Sequence, residues 1–340
     1  MSPKSTFLYT NLLLSLPLTI TALAPYIQGT YQQYATATYN LKDTYNSANF
    51  FSSFSFFTGE DPTHGYVSYQ SQSAASAQGL INTNYGQVYL GVDHKTVNPS
   101  AGRASVRLTS NKAYNHGLFI ADIAHMPGSI CGVWPAFRWL TNTSFSWLVG
   151  PNWPYGGEID VIEGVNLAGT NSMTLHTGPG CVINTAGSQP GITLSDPNCN
   201  SNSGYNGCGV LTNKANSYGN GFNSVGGGVY AMQWESSGIY VWFWPRDSVP
   251  ADVTAGKPVT GNWGLPLVAF NGGSGCNIDS FFANQQIVFD TTFCGDWAGS
   301  VWSSGNCASV ASTCNAYVGA NPAAFAPAYW LINSVKVYQQ

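Results

Sequence analysis

Glu158, Asp160 and Glu163 lie in the run Gly156-Gly157-Glu158-Ile159-Asp160-Val161-Ile162-Glu163-Gly164, three of only fifteen acids in 340 residues. β-Branched residues separate them, so the segment reads as a strand that spends its scarce charge on one face. Carboxylates crowded on one strand are costly unless they have work to do, and the chemistry such a cluster suits is retaining glycoside hydrolysis. There one carboxylate attacks the anomeric carbon while the other protonates the leaving oxygen and then activates water, the pair sitting about 5–5.5 Å apart.

The elements around these acids must bring them together. Side chains alternate faces along a strand, so Glu158 and Asp160 share a face while Glu163, at an odd offset, points away. A β-bulge between Asp160 and Glu163 resets the alternation, and bulges are over-represented beside active sites. Along the backbone the two glutamates remain roughly 13 Å or more apart at ~3.3 Å per residue. Their side chains must therefore converge above the shorter Asp160, which a concave sheet allows.

Gly157-Glu158-Ile159-Asp160-Val161-Ile162-Glu163-Gly164 resembles the bulged active-site signature of glycoside hydrolase family 16, specifically the fungal laminarinase-like endo-1,3(4)-β-glucanases. The resemblance runs from Tyr39-Asn40-Leu41 and Asp61-Pro62-Thr63-His64-Gly65 through Gly132-Val133-Trp134-Pro135-Ala136-Phe137 and Thr174-Leu175-His176-Thr177. It continues to Phe293-Cys294-Gly295-Asp296-Trp297-Ala298-Gly299 and Ala328-Tyr329-Trp330. It implies an all-β fold, a β-sandwich jelly roll (concanavalin A-like) with a concave substrate cleft. The implied activity is hydrolysis of internal β-1,3 or mixed β-1,3/1,4-glucosidic bonds with retention.

By the same resemblance Glu158 is the nucleophile, Glu163 the acid/base, and Asp160 the group that tunes Glu158. His176 matches a histidine on the neighbouring strand that orients the acid/base or contacts sugar; a lone His in an apolar strand is otherwise a core residue. Trp134, Trp153 and Trp297 match tryptophans that line the cleft, where indole faces bury the apolar C–H faces of sugars. Arg103 resembles a substrate-contacting arginine, with a salt bridge as the alternative. His64, His94, His116 and His125 have no such match and read as structural. A calcium site is the other use for an acidic strand, but calcium more often draws its oxygens from loops.

Composition agrees. Charged residues make up 8% of the chain, while there are eleven Trp, nineteen Tyr and seventeen Phe. A neutral polar ligand suits that surface. A net charge of −4 and a pI near 5.6 leave no basic footprint for nucleic acid. The expected partner is a β-glucan polysaccharide bound by a monomer, with no cofactor, no metal and no membrane span. Lys4, the apolar stretch Leu12 to Ile20 and Ala22-Leu23-Ala24 form a signal peptide over residues 1–24, leaving 25–340 as a single catalytic domain of a secreted, extracellular protein. Pro17 interrupts the apolar run, which is too short for a membrane anchor. Eight cysteines suit an oxidising route, and the short Cys199–Cys208 and Cys307–Cys314 separations suggest local loops, although spacing does not determine connectivity. A zinc site lacks the paired Cys-x-x-Cys spacing.

Strand patterns occur at 105–109, 117–123, 229–234, 239–244, 286–290 and 334–338, with Ser236-Ser237-Gly238 as a hairpin turn. One stretch departs from the family pattern. Relatives read Trp-Pro-Ala-Phe-Trp and pass quickly to Gly-Pro-Asn-Trp-Pro, whereas here Arg138 to Ser146 separates Phe137 from Trp147. This reads as a nine-residue insertion, either a loop at the cleft rim or an error in the gene model, and it holds a glycosylation sequon at Asn142. Two rival functions remain open: a wall-remodelling transglycosylase using the same acids, and a catalytically silent glucan-binding lectin. If the leader is removed, N-terminal sequencing of exported protein should begin between Pro25 and Thr30; an intact Met1 would contradict the signal reading.

Overall fold

Alternation of side chains along the strands builds two sheets around a common core. In Gly117–His125 and Gly228–Glu235, Phe119, Ala121 and Ile123 face inward with Tyr230, Met232 and Trp234. Their neighbours Leu118, Ile120, Val229 and Ala231 face outward, under a second apolar cluster that contains Trp242, Val253 and Trp263. The central strands of this outer sheet are thus buried on both faces, which accounts for their nearly continuous apolar sequences. Its order is Val268–Asn271, Gly238–Pro245, Gly228–Glu235, Gly117–His125, Trp330–Gln339, Val88–Leu90 and Ile81–Asn82, and Asn40–Tyr45 also pairs with Trp330–Gln339.

The second sheet carries the acids. Its strands in chain order are β1 (Phe54–Phe56), β2 (Arg107–Tyr114), β3 (Val133–Thr141), β4 (Glu158–Glu163), β5 (Ser172–His176), β6 (Thr193–Leu194), β7 (Cys208–Leu211) and β8 (Gln285–Phe293). In space they run β6-β7-β5-β4-β3-β8-β2-β1, all antiparallel, which places β4 near the centre. Phe137 and Trp139 of β3, Ile159 of β4 and Phe289 of β8 point into the shared core. The result is the β-sandwich of jelly-roll type expected from the sequence.

The computed structural model describes Met1 and residues 38–141, 153–202 and 206–340. From residue 38 onward these belong to one compact unit, 33–340. The leader, its cleavage site, the Asn142 sequon and the rest of 142–146 lie outside the described residues. Each strand read from the sequence overlaps an observed one, and the Gly228–Glu235/Gly238–Pro245 hairpin closes with Glu235 opposite Gly238 around Ser236-Ser237.

The reading of Arg138 to Ser146 as a rim loop needs correction for its first four residues. Arg138, Trp139, Leu140 and Thr141 continue β3 and pair on both sides, Arg138 with Asp160 of β4 and Val288 of β8. The period-two pattern explains why: Trp139 fills the core between Phe119 and Phe137, and Arg138 stays on the acid face.

Four disulfides join Cys131–Cys307, Cys181–Cys276, Cys199–Cys208 and Cys294–Cys314. The suggested Cys199–Cys208 loop forms; a local Cys307–Cys314 loop does not. Cys294 follows β8 and Cys131 precedes β3, so their bridges tie the segment carrying Trp297 to two adjacent strands of the acid sheet. Unreduced protein in denaturant should show no reactive thiol. A Cys131→Ala/Cys307→Ala variant should lose about 2–5 kcal/mol of stability in a chemical melt, as for native disulfides generally; an unchanged midpoint would show that this bridge holds nothing.

Candidate active site

The chain enters β4 through a position that demands glycine. Gly157 has φ +78°, and a Cβ there would meet the Phe281 carbonyl at 2.5 Å. The Gln285 amide donates to the carbonyls of Gly156 and Gly157 at 2.8 and 3.1 Å, fixing the start of the strand. Further along, Asp160 pairs with Thr174 and Glu163 with Ser172, three steps on β4 against two on β5. This is the expected bulge. Val161 and Ile162 both enter the core, and Glu163 returns to the face of Glu158 and Asp160. Asn171 holds the distorted backbone: its side chain accepts from the Glu163 N–H at 2.9 Å and donates to the Val161 carbonyl at 2.6 Å.

Both glutamates flank one guanidinium, with Arg138 Nε 3.3 Å from Glu158 Oε1 and Nη1 3.9 Å from Glu163 Oε1. Arg138 Nη2 also pairs with Asp290 of β8. Each glutamate receives an indole N–H: Trp153 donates to Glu158 Oε2 at 2.7 Å and Trp134 to Glu163 Oε1 at 2.9 Å. His176 pairs with Asp160 through Nε2 at 3.0 Å, while its Nδ1 meets the Ser201 hydroxyl at 2.7 Å. His176 therefore acts most directly on the middle acid and reaches Glu163 through its charge, with no hydrogen bond or ion pair between them among the described residues.

The surroundings divide the acids into different charge states. Burial pushes the Glu158 carboxyl up, but Arg138, then His176 and the Trp153 N–H, outweigh it and hold the group below the ordinary glutamate range. Burial, reinforced by the charge of Asp160, pushes Glu163 up to about 8. Asp160 is raised to about 6 by burial and by Glu158. Burial lowers His176, yet its bond to Asp160 and the nearby carboxylates prevail and raise it to about 9. Near neutrality Glu158 is an anion, Glu163 an acid, and His176 a cation on Asp160.

Aromatics flank the pair at both ends. Trp297 meets Trp134 edge to face with centroids 5.7 Å apart on the Glu163 side. On the Glu158 side Trp153 is 41% exposed and Tyr155 61% exposed. Arg103 is elsewhere: fully buried, it binds Asp93 and the carbonyls of Val318 and Gly319, so it is a structural residue and not a substrate contact. His64 and His116 pair with Asp296 and Asp279, and His125 stacks on Tyr329. Sequence reasoning missed Asp290, Asn171 and Tyr155 and gave Arg138 no role. Asp290 had a signal, a lone acid ending the apolar run Ile287-Val288-Phe289 in an acid-poor chain.

A jelly-roll sheet that presents an ionised and a protonated carboxyl side by side, flanked by indoles of which Trp153 is exposed, defines a glycan-processing enzyme site. Known proteins place the chain more closely. Residues 54–338 match the family model described as "XgeA-like, catalytic GH16 domain". A probable endo-1,3(4)-β-glucanase of Aspergillus fumigatus is 46% identical over 310 residues, covering 89% of this chain and 46% of that protein. An endo-1,3(4)-β-glucanase of Arthroderma benhamiae is 45% identical over 318 residues, 92% of this chain and 67% of the relative. Laminarinase 16A from Phanerochaete chrysosporium, solved with β-glucans in donor and acceptor sites, superposes with a TM-score of 0.80 at 43% identity, over 89% of this chain and all of that one. An elongating family 16 β-1,3-glucosyltransferase gives 0.79 at 44% identity with the same 89% coverage. The chain belongs to glycoside hydrolase family 16, and it spans about half the length (46%) of the Aspergillus fumigatus relative.

A reaction that needs Glu158 ionised and Glu163 protonated has a bell-shaped kcat/KM profile. It should rise as pH climbs through the depressed Glu158 value and fall as pH passes about 8, where Glu163 loses its proton. Trp134→Phe removes a donor that favours the Glu163 carboxylate, so its basic limb should move to higher pH. Movement of the acidic limb alone would reverse the two assignments.

Proposed function

We propose that this chain is an exported endo-β-glucanase that hydrolyses internal β-1,3 or mixed β-1,3/1,4-glucosidic bonds with retention. The observation that carries the reading is the charge split between Glu158 and Glu163 on one bulged strand. A glucan chain lies along the acid face, its sugar faces on Trp153, Trp134 and Trp297. Glu158, the anion, attacks the anomeric carbon while Glu163 gives its proton to the leaving glycosidic oxygen. Esterification removes the charge of Glu158, so Arg138 is shared by fewer carboxylates and the Glu163 anion becomes easier to hold. Glu163 then takes a proton from water as that water attacks the same carbon, releasing Glu158. Asp160, tied to protonated His176, braces Glu158 between the two steps. Four disulfides suit the oxidising route of an exported protein.

Transfer to a second glucan in place of water is the alternative that the likeness to a β-1,3-glucosyltransferase supports. Both outcomes share the first half-reaction, so products decide. Incubated with laminarin, cereal mixed-linkage glucan and branched wall glucan, a hydrolase accumulates reducing ends; a transferase conserves them while chain lengths redistribute. Glu158→Ser and Glu163→Ser should each lower kcat by roughly 10²–10⁴-fold or more with the fold retained by circular dichroism. Azide should rescue Glu158→Ser on an activated aryl glycoside and yield an α-glycosyl azide, since it replaces the missing nucleophile. Near-normal glucan turnover by either variant would rule out the assignment.

A further inference from the structure

The geometry points to Arg138 as a positioning residue: a counter-ion anchored on Asp290 that grips Glu158 more closely than Glu163 and so sets the acidic limit of activity. The inference rests on the glucanase or transferase reading of the site.

Arg138 occupies the place where the family pattern quoted above has Trp, directly after Phe137. On β3 it lies opposite Asp160, with its side chain 8% exposed. The charged groups around Glu158 come from every neighbouring strand: Asp160 and Glu163 from β4, His176 from β5, Arg138 from β3, Asp290 from β8, and Arg107 of β2, which lies opposite Asp290. Three of these six groups are acids, and His176 is committed to Asp160. Arg138 is then the cation in direct contact with the two glutamates, at 3.3 and 3.9 Å.

The contact differs from that of a purely structural arginine. Arg103 uses Nε and both Nη atoms in hydrogen bonds to Asp93, Thr96, Val318 and Gly319. Arg138 binds Asp290 through Nη2, while its Nε faces Glu158 at 3.3 Å without hydrogen-bond geometry. The pairing is electrostatic, and among the described residues Glu158 Oε1 has no hydrogen-bond donor that would have to break as the carboxylate attacks. A neutral side chain at 138 would leave Glu158 buried with only His176, the Trp153 N–H and the weaker influence of Arg107 to favour its anion.

The test is the pH dependence of kcat/KM on the best glucan substrate for wild type, Arg138→Gln, Arg138→Met and Arg138→Lys. The neutral variants should move the acidic limb up by about one pH unit, the lower end of what an opposite charge within ~4–6 Å contributes. Arg138→Lys should restore most of the shift, and melting temperatures need not follow the same order. An acidic limb unmoved in the neutral variants, with only the melting temperature lowered, overturns the inference. Should neither neutral variant fold, a chain lacking residues 138–146 supplies the comparison, because Trp147 then follows Phe137. An acidic limb there equal to that of the full chain overturns the inference as well. Absence of any glucan cleavage or transfer by the wild type overturns this inference together with the functional reading, whereas a normal wild-type profile with unmoved variants overturns this inference alone.

Discussion

Burying ionised carboxylates without compensation costs several kcal/mol each, and the acid face of this sheet buries four. Glu158, Asp160, Glu163 and Asp290 are each 2–8% exposed. Two responses are available, a counter-charge or a proton, and the site uses both. Asp160 takes a protonated His176, and Glu158 and Asp290 share Arg138. Glu163, held by one indole N–H and the far side of that guanidinium, keeps its proton. Two chemically identical side chains thus take different charge states because the available cation lies closer to one of them.

That asymmetry needs a backbone held to within fractions of an ångström, and most of the surrounding structure supplies it. The bulge turns Glu163 onto the acid face, and the buried Asn171 amide bonds the Glu163 N–H and Val161 carbonyl within the bulged segment. Gly157 lets the chain pass under Phe281. Behind β4, Ile159, Val161 and Ile162 lock into the sandwich core, so the acids project from a rigid element. The Cys131–Cys307 and Cys294–Cys314 bridges bring the Trp297 segment against Trp134 and so tie the aromatic rim to the strand beside the acids.

Neighbours of nearly equal similarity are described as a laminarinase and as an elongating glucosyltransferase. Fold and acid triplet therefore do not choose between water and sugar as acceptor. On the proposed retaining route both reactions would share their first half, so the acceptor is chosen by features other than the acids.

The acid triplet, the need for a bulge, the outer strands and the cleft tryptophans were legible in the sequence because each is a local pattern: a period of two, a broken period, or a short motif. The structure forms the bulge and sets Trp134, Trp153 and Trp297 beside the acids, and it removes Arg103, whose charge is spent on Asp93 and two carbonyls far away in sequence. It also joins Cys307 to Cys131, 176 residues away, in place of nearby Cys314. What sequence alone could not settle is which groups meet across strands. Arg138 looked like the start of an insertion because its value depends on Asp290, reached only when β8 pairs with β3. Nothing local in the sequence marks Asn171, whose amide serves as donor and acceptor where the bulge needs both. Sequence determines which side chains are available and which face of a strand they take; the charge each carries depends on burial and on neighbours that only tertiary pairing brings within a few ångströms.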